Sequence, residues 1–205
     1  MSHIINMKYI IITLIWSAFL LNDLTAQRGF KGSVVAGINL SQIDGDNLVG
    51  FRKAGLSAGL KVSFLLKKKL FGNVEILYSQ RGSGPTLFSG NGPVTDLNYF
   101  ELPLYVSIKD WFIEDGQYHK LSGDIGISLG RLFSATTTAE VTDFAPETFE
   151  TTDISYLLGA SYSFTKNLSV TVRHTRSFTR LLDDPAIFDR FLLSYFWTIR
   201  TEYTF

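Results

Sequence analysis

The sequence contains no cysteine. That excludes disulfides, thiolate nucleophiles, cysteine-ligated metals and a lipid-anchored N-terminal cysteine. Charge is scarce and evenly split, with 19 basic and 19 acidic residues making up 19% of the chain. No basic field invites nucleic acid, and no acidic block reads as a disordered tail. The three histidines, His3, His119 and His174, sit at no spacing that specifies a metal or a catalytic base. There is no HExxH, and the glycines fall at strand spacing instead of forming a phosphate-cradling turn. The acidic DGDN at 44–47 opens like a calcium loop but lacks the downstream bidentate glutamate, so it reads as a turn. The expectation is a protein without catalytic, cofactor or metal residues, and not an enzyme.

Long apolar runs are missing after the first 26 residues. Nothing there approaches the ~18 consecutive apolar positions that a membrane helix requires. Residues 1–26 read as a secretory signal. Lys8 supplies positive charge, residues 9–21 form the apolar run, and Ala26 offers a small residue before a cut at Gln27. Leu24 stands where a small residue is preferred, and Met7 is an alternative start. The other reading of this segment is an uncleaved N-terminal anchor. The remaining 27–205 form one domain.

What the chain does have is alternation. Aromatics reach 14%, with 17 Phe and 17 Gly. In the last stretch, Leu193, Tyr195, Trp197, Ile199, Thr201, Tyr203 and Phe205 make one row of a period-two pattern. Ser194, Phe196, Thr198, Arg200, Glu202 and Thr204 make the other, with Phe196 as its apolar exception. Alternation of this kind marks a strand with different surroundings on its two faces. The pattern recurs at 30–43, 51–65, 72–82, 97–108, 118–133, 153–164 and 168–180. Eight strands with an apolar outer row on nearly every one predict an antiparallel, up-and-down transmembrane barrel of the outer membrane. A soluble lipocalin-like barrel is the alternative, but it would need a polar outer face. Connections alternate between compact ones (67–69, 110–117, 165–167) and long ones (83–96, 134–152), as periplasmic turns and external loops do. Pro103 falls inside the fourth strand, where it cannot donate to a ladder; a bulge there, or another partner for the neighbouring carbonyl, is expected.

The inward rows collect Lys61, Glu75, Arg81, Glu101, Asp124, Arg173, Arg200 and Glu202. About eight strands enclose a space that side chains fill. Charges placed there must pair, because an unpaired buried charge is costly. A salt-bridged plug is expected over an ion pathway. His174, beside Arg173 and Arg176, is a candidate for a rim cluster with Asp183, Asp184 and Asp189. Outward aromatics such as Phe64, Tyr78, Phe100, Tyr162, Phe164, Tyr195, Tyr203 and Phe205 suit interfacial girdles.

Four segments carry a family likeness: GINLSQIDGD at 37–46, VEILYSQRGS at 74–83, NYFELPLYVSIK at 98–109 and GISLGRLFSA at 126–135, completed by the terminal Phe205. With them the chain resembles the small outer-membrane barrels of Bacteroidetes, the PorT-like family. The resemblance implies residence in outer-membrane lipid and insertion by the barrel assembly machinery, with Phe205 as the insertion signal. It also implies a possible link to type IX secretion, and it transfers no catalytic residue. The functional expectation is a structural or accessory barrel that meets other envelope or secretion proteins through its long external loops. The alternatives are a small-solute pore and a membrane-embedded lipid-modifying enzyme that would depend on His174.

Overall fold

The computed structural model describes residues 30–44, 50–84, 94–137, 149–181 and 192–205. The proposed signal, the DGDN tail beyond Asp44 and the Asp183, Asp184 and Asp189 positions lie outside the described residues. Eight strands follow one another: β1 Phe30–Asp44, β2 Lys53–Lys67, β3 Leu70–Ser83, β4 Thr95–Ile113, β5 Tyr118–Thr137, β6 Thr152–Ser163, β7 Leu168–Ser177 and β8 Leu193–Thr204. Each pairs with its sequence neighbour, and β8 returns to β1, closing the barrel. The seam is antiparallel and unbroken from Ser33↔Thr204 to Asp44↔Leu193. Closure is what lipid demands, since an open edge would leave backbone groups unpaired at roughly several kcal/mol each.

The alternation expected from the sequence sets the two faces. Ile38, Leu60, Ile76, Ile108, Ile125, Leu158, Trp197 and Ile199 stand exposed on the outside. Asn39, Lys61, Glu75, Ser79, Ser107, Ser128, Thr171 and Arg200 are buried inside. An apolar exterior around a polar interior inverts the soluble pattern and matches a barrel in lipid.

Some boundaries differ from those read in the sequence, with local reasons. The β2–β3 ladder reaches Lys67↔Leu70, so only Lys68 and Lys69 turn. The β4–β5 ladder extends to Ile113↔Tyr118, leaving 114–117 as the turn in place of 110–117. Contacts across the hairpin hold the extra rungs: Phe112 and His119 rings lie 5.0 Å apart, and Lys120 covers Trp111 at 5.0 Å. At the other end β5 runs on to Thr137, paired with Thr95. β7 stops at Ser177, short of the 180 that the alternation suggested, while β8 starts at Leu193 as the alternation has it.

Pro103 does not produce a bulge. The β3–β4 ladder skips the rungs between Val74↔Leu104 and Leu77↔Glu101 and resumes in the same register. On its other side Pro103 pairs with Ser128 without interruption. The register shift in the β4–β5 ladder lies earlier in β4, between Asn98 and Tyr99.

Candidate functional site

The interior is built by pairing large side chains with glycine across strands. Arg200 lies opposite Gly37, Tyr105 opposite Gly126, Arg173 opposite Gly159, and Glu101 opposite Gly130. A side chain at Gly37 or Gly126 would collide with the neighbouring strand's carbonyl and with the bulky group itself. Alternating small and large residues is how a narrow barrel fits a full interior. The structure places all eight sequence-proposed lumen residues inside and buried.

They fall into layers. Nearest the start of β1 and the end of β8, Lys61 Nζ donates to Glu202 Oε2 at 2.9 Å. Beside it runs a polar chain in which Ser63 donates to Asn73, Asn73 to Ser107 at 2.8 Å, and Ser107 to Asp124 Oδ1 at 2.6 Å. Asp124 therefore joins the network through a hydroxyl and not through a cation.

The middle layer centres on Glu75, which is fully buried. Arg173 reaches it with both Nη atoms at 3.0 and 3.2 Å, and Arg200 does so at 2.8 and 2.5 Å. Tyr105 Oη donates to the same carboxylate. The Arg173 guanidinium also stacks 4.6 Å from the Tyr105 ring centre. One carboxylate thus holds two cations by bidentate, charge-assisted bonds, the strongest arrangement available to it.

The third layer sits toward the long connections. Arg81 pairs with Glu101 Oε1 and with Asp153 Oδ2, each at 2.6 Å. Ser128 donates to Glu101, while Ser155 and Thr179 donate to Asp153. The guanidinium is sandwiched between the Tyr99 ring at 4.6 Å and the Phe196 ring at 4.2 Å. Phe196, the apolar exception in an inward row, thereby has its use. Asp153 was not among the residues proposed from sequence, although it continues the inward row of Ser155 and Leu157. Above this layer, Ile43, Leu97, Tyr99, Leu132, Phe149, Leu181 and Leu192 form a buried apolar cap. Backbone bonds tie its parts together, with Glu150 N donating to Leu181 O and Leu181 N to Leu192 O, both at 2.9 Å.

Between the middle and third layers lies a void of about 10 Å³, lined by Ser57, Ser79, Glu101, Ser128, Arg173 and Arg200 among others. That is room for about one water molecule. Among the described residues there is no grouping of three or more histidine or acidic side chains that could hold a metal ion.

His174 does not share a face with Arg173, and the Asp183, Asp184 and Asp189 of its proposed rim cluster lie outside the described residues. It faces outward and half-buried, with its ring 4.9 Å from Trp197 and 6.1 Å from Tyr156. Its neighbour Arg173 points the opposite way, because consecutive strand residues alternate faces.

A family model for the outer membrane protein beta-barrel domain matches residues 22–183. The chain belongs to that family. Its place is the outer membrane. Two solved members of the same architecture are similar in fold. Ail, the attachment invasion locus protein of Yersinia pestis, is 15% identical with a TM-score of 0.50, covering 87% of this chain and 100% of that one. Neisserial surface protein A is 11% identical with a TM-score of 0.50, covering 86% and 97%. At these identities the likeness concerns the barrel alone. No curated protein matches the sequence.

Proposed function

We propose that this family member is a non-conducting, non-enzymatic barrel that serves as a structural or accessory component of an outer-membrane assembly and works through its outer end. The observation that carries this reading is the filled interior. Among the described residues, three layers of paired side chains and an apolar cap occupy the lumen, and the void between the middle and third layers has room for about one water molecule. A barrel so plugged offers its surfaces and connections for function in place of its lumen. Phe149, Leu181 and Leu192 anchor the chain on either side of the connections at that end, which fits a firmly held contact surface.

The PorT-like resemblance makes a type IX secretion or assembly complex the partner class favoured here. Gentle solubilisation of outer membranes, capture of the tagged protein and mass spectrometry of what comes with it test this. Envelope or secretion components at near-equal stoichiometry are expected, with recovery reduced when 85–93 or 138–148 is deleted. Recovery of the barrel alone, or capture unchanged by both deletions, would overturn the accessory role. The His174-dependent enzyme reading expects loss of a lipid-modifying activity in His174→Ala, but the half-buried position of His174 between aromatic rings on the lipid face does not favour it.

A further inference from the structure

Among the described residues, lysine gathers at one end of the barrel. Lys31 stands at the start of β1 and Lys67–Lys69 span the β2–β3 turn. Lys109 and Lys120 lie in the β4–β5 hairpin and Lys166 in the β6–β7 turn. Only Lys53 and Lys61 lie elsewhere, at the opposite end and in the lumen. The lysine end carries the short turns and the C-terminus, and in outer-membrane barrels the short turns face the periplasm.

The side-chain carboxylates exposed at this end among the described residues are Asp110, Glu114 and Asp115, and Lys69 already engages Asp110 at 2.6 Å. Lys67, Lys68 and Lys166 are exposed and pair with no carboxylate among the described residues. Like charges crowded into adjacent turns repel one another unless an anionic surface lies against them.

Depth points to the same surface. Phe112, Tyr162, Phe164, Tyr203 and Phe205 stand exposed at this end, and aromatic residues of this kind mark the membrane–water interface. Lys120 lies over the Trp111 and Tyr162 rings at 5.0 and 5.8 Å. Long lysine stems next to an interfacial aromatic belt carry their ammonium groups to the headgroup level. The lysines are spread around the barrel, from β1 through three separate turns. A soluble partner would cover one side of such a ring, whereas lipid headgroups surround all of it.

We propose that this lysine collar selects anionic phospholipid headgroups of the phosphatidylglycerol type in the leaflet at the turn end. The test uses the folded protein reconstituted in bilayers with spin-labelled phosphatidylglycerol or phosphatidylcholine, comparing the fraction of each lipid immobilised at the protein. Several lysines near an anionic surface should favour phosphatidylglycerol by roughly two- to fourfold. The combined variant Lys67→Gln, Lys68→Gln and Lys166→Gln should bring the ratio close to one, and raising the salt to screen exposed charges should do the same. Arg131→Gln at the opposite rim should leave the ratio unchanged. Heat-modified electrophoretic mobility checks that each variant has folded. A ratio near one in the parent protein, or a ratio that survives the triple substitution in folded protein, would overturn the proposal. So would an acidic soluble protein that occupies the collar without any lipid preference.

Discussion

Glu75→Gln is the substitution most sensitive to whether the lumen is dry. The carboxylate is fully buried and holds Arg173 and Arg200 by four hydrogen bonds of 2.5–3.2 Å, plus Tyr105 Oη. Glutamine keeps the shape and one acceptor oxygen but removes the only negative charge among the described residues that contacts the two guanidiniums. Breaking a buried ion pair by removing one partner costs ~3–5 kcal/mol. Here two cations lose the same partner and are left facing each other, so the expected loss is ~4–5 kcal/mol, at the upper end of that range. With a urea dependence of ~1–3 kcal/mol per molar, the unfolding midpoint should fall by roughly 1.3–5 M. The assay is urea unfolding of the barrel in lipid, read by heat-modified electrophoretic mobility. The combined change Glu75→Gln, Arg173→Met and Arg200→Met removes the stranded charges as well, and should return to within ~2 kcal/mol of the parent. A loss below ~1 kcal/mol for Glu75→Gln alone is what exposed pairs show. That result would mean water reaches the network, and the reasoning from a sealed interior would fail.

Tyr105→Phe removes one donor to Glu75 while leaving the ring against Arg173, and should cost ~1–3 kcal/mol in the same urea titration. Gly37→Ala places a methyl against the β8 backbone at Arg200, and should cost ~1–3 kcal/mol and slow closure of the β1–β8 seam in refolding kinetics. Asp110→Asn breaks the exposed pair with Lys69 and should leave the urea midpoint unchanged. Removing Phe205, proposed as the insertion signal, should lower the fraction of protein reaching the folded, heat-modifiable form in outer membranes.

Most of the architecture is legible in the sequence because strand side chains alternate strictly. Once β8 is read as two rows, Trp197 and Ile199 must go out and Arg200 and Glu202 must go in. The same parity places Lys61, Glu75 and Arg173. It cannot say which charges meet. Glu75 on β3 reaches Arg173 on β7 and Arg200 on β8 across the barrel, and only the closed geometry brings those strands face to face. Asp153 is not legible for the same reason: it lies at the start of β6, next to a loop-like stretch, and its partner Arg81 is distant in sequence. The apolar cap was equally hidden. Ile43, Leu97, Phe149, Leu181 and Leu192 come from strand ends and connections, where no period links them. Neighbours in sequence suggest a cluster of His174 with Arg173, but alternation sends Arg173 inward and His174 outward. Pro103 predicts either a bulge or another partner for the neighbouring carbonyl, and the β3–β4 ladder skips its rungs without changing register, which removes the bulge.

The most direct test of the central claim is single-channel recording of the purified, folded protein in planar bilayers. Among the described residues, three paired layers and an apolar cap fill the lumen around a void of about 10 Å³, and if they seal it as we propose the membrane should stay silent across the voltage range. Stable, reproducible unit conductance from the folded barrel would contradict a sealed lumen and make the protein a pore.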